Sequence, residues 1–144
     1  MTVLAWDGKT LAADKLCCFG PTKGTVTKIF RCHHELIGIA GNLSVGMETI
    51  DWYRSGAVPA DYPAANRTAE GGASLIVIRG DRTAWKYESS PFPFKMEGAF
   101  VAFGSGDESA MCAMECGADA RRAVEVASKY NSTCGNGVDA LELP

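Results

Sequence analysis

The chain has 144 residues, of which 47% are apolar and 22% are charged, a composition typical of folded globular proteins and not of disordered ones. Its 14 Lys and Arg residues against 17 Asp and Glu residues give a net charge of −3, which argues against a nucleic-acid-binding protein. No apolar run approaches the length of a membrane-spanning helix. The length predicts a single domain over residues 1–144.

Six cysteines are too few for a small domain built on disulfides. The first residues, Met1-Thr-Val-Leu-Ala-Trp-Asp-Gly, have neither the basic start nor the long apolar stretch of a secretory signal. We therefore expect a cytoplasmic protein whose thiols are reduced.

The first predicted element is a hairpin. Two strand-like segments, residues 3–6 and 9–13, flank an Asp-Gly pair at 7–8, which is typical of a type I′ turn because both central positions of that turn need positive φ. Residues 17–24 contain Gly and Pro and are predicted as a loop. The alternating, β-branched residues 25–32 predict a third strand.

A fourth strand is predicted over Glu35–Gly41, where successive apolar residues indicate burial on both faces. Asn42 is a candidate N-cap for the helix that follows, and Gly56 ends that helix. Residues 57–71, with Pro59, Pro63 and Gly71 and followed by Gly72, are predicted as an irregular connection.

A second hairpin is predicted from residues 74–78 and 83–87, with Gly80 placed for a type II′ turn. Residues 89–94 are predicted as a loop, and residues 99–103 as a further buried strand.

Two helices and a last strand close the predicted order. Ser105 and Glu108 have the spacing of a capping box before the first of these helices. Gly117 and Asp119 separate it from the second, and the last strand runs over residues 138–143. Strands buried on both faces need helices outside the sheets, which predicts an α+β fold of four layers, helix–sheet–sheet–helix.

Thr2 is the first candidate catalytic residue. If Met1 is removed, one residue carries both a hydroxyl nucleophile and an α-amine base whose ordinary pKa lies near ~8. The alternative is that Thr2 is merely the first residue of an edge strand.

Around Thr2, an ordered set of motifs resembles the proteasome β-subunits and their simpler HslV-type bacterial relatives, which are N-terminal-nucleophile hydrolases. The matching segments, in chain order, are Thr2, Ala12-Ala-Asp14, Thr25-Val-Thr-Lys28-Ile, Ile39-Ala-Gly41-Asn42 and Ala102-Phe-Gly-Ser105-Gly106. The resemblance covers most of the chain except residues 57–71. It implies the four-layer fold of antiparallel sheets named above.

By this resemblance, Thr2 is the nucleophile, Lys28 favours its ionisation, and Asp14 pairs with Lys28. Gly41 would donate its backbone N–H to the oxyanion, and Ser105 would hydrogen-bond the α-amine. The alternatives are an ordinary surface ion pair for Lys28 and Asp14, a tight turn at Gly41, and simple helix capping by Ser105.

Three further assignments depend on the resemblance. Asp139 falls near the family's last supporting acidic position. Ile39 and Leu43 occupy positions that shape the substrate side-chain pocket, which suggests an apolar preference. Cys18 lies in a substrate-facing loop where the relatives have a small hydroxyl residue.

The chain departs from the family in residues 57–71, where the relatives carry a second long helix. One helical layer is therefore expected to be shortened, which affects contacts between subunits.

A metal site is the weaker alternative. Cys32-His33-His34 with Cys17 and Cys18 fits no closed zinc pattern, so we expect no metal. The three Asn-X-Ser/Thr sequons, one of them Asn131-Ser-Thr, would be acceptors only in a secreted protein.

The resemblance implies a threonine-type peptidase that acts on peptides or unfolded proteins and needs no cofactor. It also implies a homo-oligomeric ring, served by an ATP-dependent unfoldase. The alternatives are a non-catalytic scaffold or assembly subunit that keeps Met1, and an amidase or acylase that acts on small amides.

Overall fold

The computed structural model describes residues 1–68 and 70–144. In these residues the strands and helices follow one another in the order strands, one helix, strands, two helices, strand, as the sequence predicts. Their bounds are β1 Leu4–Trp6, β2 Thr10–Asp14, β3 Leu16–Phe19, β4 Thr22–Thr25, β5 Ile29–Cys32, β6 Glu35–Gly41, α1 Leu43–Arg54, β7 Ala73–Ile78, β8 Ala84–Tyr87, β9 Phe94–Met96, β10 Val101–Phe103, α2 Asp107–Glu115, α3 Ala120–Tyr130 and β11 Val138–Glu142.

The strands form two main antiparallel sheets and one hairpin. The four-stranded sheet has the order β10-β1-β2-β11, and the five-stranded sheet has the order β5-β6-β7-β8-β9. Within residues 1–68 and 70–144, strands β3 and β4 pair only with each other. The α+β class of the prediction is confirmed.

Three apolar clusters hold these elements together. The first combines side chains of both sheets, among them Leu4 and Leu11 of the four-stranded sheet and Leu36 and Ile76 of the five-stranded sheet. The second joins the opposite faces of β1 and β2 to α2 and α3, and the third joins the five-stranded sheet to α1. Successive side chains of a strand point to opposite faces, so β1, β2, β6 and β7 each place side chains in two of the clusters.

Helix α1 begins as predicted at Asn42, whose side-chain oxygen accepts a hydrogen bond from the N–H of Val45 at 3.1 Å. The helix lies close to its sheet at Gly46, where a Cβ would stand 2.9 Å from Cδ1 of Ile39. Among the described helices, none is long and apolar enough to cross a bilayer.

The connection after α1 holds two short 3-10 helices, Pro59–Asp61 and Ala64–Arg67, and Ala69 lies outside the described residues. Asn66 is buried there. It donates to Oγ1 of Thr49 at 2.8 Å and accepts from the N–H of Ala73 at 2.8 Å. No α-helix lies in the described part of this connection, in line with the predicted shortening.

Residues 17–24 are not a loop, which corrects the prediction. Leu16–Phe19 pairs with Thr22–Thr25 across a turn at Gly20-Pro21, and Gly20 has φ of 59°. The third strand is correspondingly shorter than predicted and begins at Ile29. Strand β9 also differs from the prediction, because its first residue, Phe94, belongs to the predicted loop.

Both predicted turn types are wrong. In the first hairpin the N–H of Asp7 donates to the carbonyl of Thr10, which makes Gly8 and Lys9 the central residues. Only Gly8 of these has positive φ, at 91°, as in a type II′ turn. In the second hairpin positive φ falls on Arg82, at 70°, and not on Gly80.

Candidate active site

Thr2 lies just before β1 and is buried, with 1% of its surface exposed. Its carbonyl accepts a hydrogen bond from the N–H of Gly106 at 3.1 Å. Gly104 lies so close that a Cβ there would stand 2.3 Å from the carbonyl oxygen of Thr2, and the φ of Gly104 is 93°. Glycine at position 104 is therefore required both by the backbone conformation and by the space beside Thr2.

Asp14 and Lys28 form a buried ion pair beside Thr2. Lys28 Nζ lies 2.9 Å from Oδ1 of Asp14, and the side chains are 1% and 0% exposed. Asp14 also accepts hydrogen bonds from the backbone N–H groups of Val3, Leu16 and Gly135 at 3.0–3.3 Å. This pair is not the surface ion pair of the alternative interpretation, because both side chains are buried. The four hydrogen bonds to the Asp14 carboxylate compensate for its loss of hydration.

Ser105 lies on the other side of Thr2. Its Oγ accepts a hydrogen bond from the Thr2 N–H at 3.1 Å and lies 2.8 Å from Oγ1 of Thr133. Thr133 Oγ1 in turn donates to Oδ1 of Asn131 at 2.6 Å. Helix α2 begins at Asp107 with Gly106 as its N-cap and no side-chain cap, so the predicted capping box of Ser105 and Glu108 does not form.

Met1 occupies the space in front of these groups. Its carbonyl accepts hydrogen bonds from Lys28 Nζ at 3.0 Å and from the Thr2 hydroxyl at 2.8 Å. While Met1 is attached, the Thr2 nitrogen is an amide and cannot serve as a base. Both donors would become available to another carbonyl if Met1 were removed.

Two cavities meet at Met1, Thr2 and Gly41. One has a volume of about 380 Å³ and is also lined by Cys18, Phe19, Leu43 and Lys28, among others. The other, of about 510 Å³, extends past Ser105 to Phe103 and Lys86.

Gly41 has φ of 100°, and a Cβ there would lie 2.7 Å from the carbonyl oxygen of Gly72. This position is therefore restricted to glycine, and its backbone faces the space beside Thr2.

Of the three residues predicted to contact substrate, Cys18 and Leu43 line the smaller cavity and Ile39 lines neither. Ile39 is 1% exposed and belongs to the cluster under α1. The close approach of Gly46 covers it, which corrects the expectation that Ile39 shapes a pocket.

Asp139 is also not part of the site, which corrects its predicted supporting role. It lies on β11 opposite Ala13, and its carboxylate pairs with Lys15 Nζ at 2.5 Å. Lys15 Nζ also donates to Oγ1 of Thr27 at 3.2 Å.

Sequence reasoning missed Asn131, Thr133 and Gly135, which hold Ser105 and Asp14 from the segment after α3. The signal was present in the Asn131-Ser-Thr triplet, which predicts local side-chain hydrogen bonding at a helix end as well as a sequon.

Cys134 packs behind Ser105. Its sulfur lies 3.9 Å from Ser105 Oγ, and burial raises the pKa of its thiol above the ordinary value. The described residues include no group of three Cys, His, Asp or Glu side chains that could hold a metal ion.

No protein-family model and no curated protein matches the sequence. Solved structures do match along the whole chain. BPH from Thiobacillus denitrificans, in complex with epoxomicin, is 20% identical, with 100% of each chain covered and a TM-score of 0.74. A second structure of BPH from Thiobacillus denitrificans gives a TM-score of 0.72, also at 20% identity, with 100% of this chain and 99% of that chain covered.

Eukaryotic HslV from Trypanosoma brucei is 22% identical over 99% of each chain, with a TM-score of 0.68. The chain has the proteasome-like fold. The resemblance predicted from the sequence motifs is thereby confirmed at the level of the fold. Within this proteasome-like fold, Thr2 stands next to Lys28, Asp14 and Ser105.

Proposed function

We propose that the protein is a threonine-type peptidase whose nucleophile is Thr2 after removal of Met1. The observation that carries this proposal is the position of Thr2 where two cavities meet, with Lys28 on one side and Ser105 on the other. Nucleophile, base and supporting groups then belong to one connected cluster.

In the first step the Thr2 hydroxyl oxygen attacks the carbonyl carbon of an amide, and its proton passes to the Thr2 α-amine. Lys28 lies close enough to stabilise the developing alkoxide, because it already donates to the carbonyl adjoining Thr2. The amine then gives the proton to the leaving nitrogen, the C–N bond breaks, and an ester on Thr2 remains.

In the second step water attacks the ester carbon. The α-amine takes a proton from the water and returns it to the Thr2 oxygen as the acid product leaves. The backbone N–H of Gly41 is the proposed donor to the oxyanion in both steps, since Gly41 lines both cavities next to Thr2.

The smaller cavity is the proposed site of the side chain that precedes the cleaved bond. Leu43 and Phe19 give it an apolar lining, and Cys18 lies beside them. We expect a preference for peptides with an apolar residue at this position.

The wider setting of the peptidase is also proposed. In this proposal one domain spans residues 1–144 in a four-layer fold, and one of its helical layers is short. The three apolar clusters support this arrangement. Six free cysteines favour a reducing, cytoplasmic compartment. Resemblance to HslV suggests a homo-oligomeric ring that encloses the sites and an ATP-dependent unfoldase that feeds it. Sedimentation velocity against the 15.3 kDa monomer mass tests the ring.

A non-catalytic scaffold subunit is the second candidate. It is favoured by the contacts that the Met1 carbonyl makes with Lys28 and Thr2, because Thr2 has no free amine while Met1 is attached. The two candidates make opposite predictions for the state of the chain end.

The deciding experiment begins with the intact mass of protein expressed from its own start codon. We expect loss of Met1, hydrolysis of apolar peptides, and inhibition by epoxomicin, the ligand seen with the BPH relative. Thr2→Ala should abolish hydrolysis, while Thr2→Ser should retain part of it because the serine hydroxyl can still attack.

Retention of Met1 in a host that trims other proteins would contradict the peptidase and favour the scaffold. Hydrolysis that survives Thr2→Ala would contradict the assignment of the nucleophile. Activity on small amides alone would indicate an amidase.

A further inference from the structure

Asn66 is buried in the wall of the larger cavity, in the connection between α1 and β7, and is 3% exposed. Its side-chain oxygen accepts the N–H of Ala73 at 2.8 Å, and its side-chain NH₂ donates to Oγ1 of Thr49 at 2.8 Å. Thr49 lies on α1 and is 0% exposed. One side chain therefore joins the helix that follows Gly41 to the strand that pairs with Gly41.

Each donor and acceptor around Asn66 has a fixed direction. The Ala73 N–H can only donate, so the oxygen of the Asn66 amide faces it and the NH₂ faces Thr49. The Thr49 hydroxyl gives its hydrogen to the carbonyl of Val45 at 2.7 Å and receives the Asn66 NH₂ on a lone pair. We call the side chains of Thr49 and Asn66, with the backbone of Gly72 and Ala73, the Asn66 network.

The N–H of Ala73 faces away from β6. Next to it, the N–H of Asn42 donates to the carbonyl of Gly72 at 3.0 Å. In an antiparallel ladder such a bond flanks a residue pair, here Gly41 and Ala73, that exchanges no hydrogen bonds of its own. On the other side of β7, the register with β8 begins two residues further along. The Asn66 oxygen thus takes the place that a neighbouring strand would have beside Ala73.

The same ladder sets the direction of the Gly41 N–H. Backbone N–H groups alternate in direction along a strand, so the N–H of Gly41 points opposite to that of Asn42 and to the same side as that of Ile39. The Ile39 N–H donates to the carbonyl of Lys28 at 2.9 Å. The Gly41 N–H therefore points toward the Lys28 side of β6, where Thr2 lies.

Gly72 links the position of Asn66 to that of Gly41 by direct contact. A Cβ on Gly72 would lie 3.1 Å from Cα of Asn66 and 3.0 Å from the carbonyl oxygen of Ala65. A Cβ on Gly41 would lie 2.7 Å from the carbonyl oxygen of Gly72 and 3.1 Å from Cα of Ala73. The three backbone segments leave no space for a methyl group between them, so a shift at Asn66 moves Gly72 and with it the Gly41 peptide.

We propose that Asn66 and Thr49 are positioning residues that act through Gly72 and hold the Gly41 N–H in the orientation that receives the oxyanion. The inference rests on the proposed function, in which Gly41 is that donor. An oxyanion donor is effective because it is preorganised, and a misplacement of about 1 Å can cost on the order of 100-fold in rate. The order comes from residues 57–71, the segment in which the sequence departs from the family that it resembles.

The first measurement is the split between kcat and KM for an apolar peptide, in protein from which Met1 has been removed. Asn66→Ala should lower kcat about tenfold or more and leave KM within about twofold, because the oxyanion hydrogen bond forms only in the transition state. Thr49→Val removes the acceptor of the Asn66 NH₂ and should lower kcat to a smaller extent. Thr49→Ser keeps a hydroxyl at this position and should restore kcat.

Tyr53→Phe is the matched control. Tyr53 lies on α1 like Thr49, and its hydroxyl donates to the carboxylate of Glu35 in a part-buried hydrogen bond. The variant loses one side-chain hydrogen bond of α1 without touching the Asn66 network, and it should keep its kcat. Thermal unfolding of the four variants gives the stability that each loses, so that losses of kcat are compared against losses of stability.

Hydrogen–deuterium exchange followed by mass spectrometry tests the network without any catalysis. The N–H of Asn42 is bonded to the Gly72 carbonyl, so a displaced Gly72 exposes it to exchange. Exchange in fragments that contain residues 41–42 should be faster in Asn66→Ala and Thr49→Val than in the wild type. Thr49→Ser and Tyr53→Phe should exchange there at the wild-type rate.

Unchanged kcat in a folded Asn66→Ala protein would overturn the positioning role, as would a rise in KM with kcat unchanged. If Asn66→Ala does not fold, equal kcat values in Thr49→Val and Thr49→Ser would overturn it. A loss of kcat in Tyr53→Phe as large as that in Thr49→Val would show a general effect of α1 and would also contradict the proposal.

The two proposals fail in different ways. If exchange at Asn42 responds as expected while the wild type cleaves no peptide, the peptidase fails and the control of the Gly41 turn by Asn66 stands. Peptide cleavage that depends on Thr2, with the same kcat in every variant, would give the reverse result.

Discussion

The two sides of Thr2 are built on different principles. On one side Asp14 and Lys28 form a fully buried ion pair in which the carboxylate accepts four hydrogen bonds. On the other, the hydrogen-bonding side chains are uncharged: Ser105, which is exposed, contacts Thr133, and Thr133 contacts Asn131. Thr2 is thus supported by a charged side that is part of the core and a neutral side that reaches the surface.

The two sides should respond differently to substitution. An unpaired buried charge is far more costly than a lost neutral hydrogen bond at an exposed position. Substitutions on the charged side should therefore damage stability and activity together. Substitutions of Ser105, Thr133 or Asn131 should change activity with little effect on stability.

The largest effect is expected from Lys28→Ala. It leaves Asp14 buried without its cation and should lower the free energy of unfolding by about 3–5 kcal/mol, with loss of detectable peptide hydrolysis. Urea denaturation and a peptide assay measure the two effects. The matched control is Lys15→Ala, because Lys15 also pairs with an aspartate but is partly exposed.

The double variant Asp14→Leu/Lys28→Met separates charge from packing in that experiment. It should recover part of the stability lost in Lys28→Ala and none of the activity. A Lys28→Ala protein as stable as wild type would mean that the pair is solvated and that the contrast between the two sides is wrong.

A smaller effect is expected from Gly104→Ala, since the added Cβ would lie 2.3 Å from the carbonyl oxygen of Thr2. The strain of positive φ alone amounts to about 1–3 kcal/mol. Gly117→Ala is the control, because Gly117 has φ of 98° and nothing lies within 4 Å of its Cβ.

The difference between the two alanine variants in thermal unfolding and in peptide hydrolysis isolates the displacement of Thr2. We expect Gly104→Ala to lose at least tenfold in rate and Gly117→Ala to keep its rate. Equal losses in both would show that backbone strain alone, and not contact with Thr2, makes Gly104 necessary.

The smallest effect is expected from Asp139→Asn. Its partner is Lys15 and both side chains are partly exposed, so stability should change by less than about 1 kcal/mol. Peptide hydrolysis should stay within about twofold of wild type. A large loss of rate in a folded protein would return Asp139 to the supporting role that the sequence suggested.

The sequence predicted best where local pattern and tertiary environment agree. Strand Glu35–Gly41 has the predicted bounds, and Asn42 caps the next helix as its residue type indicates. Both signals lie within a few residues of the element that they define. Thr2, Asp14, Lys28 and Ser105 come together across the fold, which the resemblance implied and local pattern alone could not.

The failures have a common physical cause. Thr22–Thr25 is a polar strand without apolar alternation, and only its pairing with Leu16–Phe19 makes it a strand. Asp139 was assigned by its place near the last supporting acidic position of the family. The residue that reaches Ser105 is instead the neutral Thr133, which lies 28 positions after Ser105 in the chain. Contacts at such separations depend on how α3 and β11 are placed, which no local window specifies.

The backbone around Thr2 has a consequence for the cost of binding. Chain ends are usually poorly ordered, but here the Thr2 carbonyl is held by Gly106, and Val3 exchanges hydrogen bonds with Asp14 through both its N–H and its carbonyl. The entropy of ordering this segment is therefore lost once, during folding, and not again with each substrate. A substrate that reaches the two cavities meets a preorganised terminus, so little of its binding energy is spent on immobilising the protein.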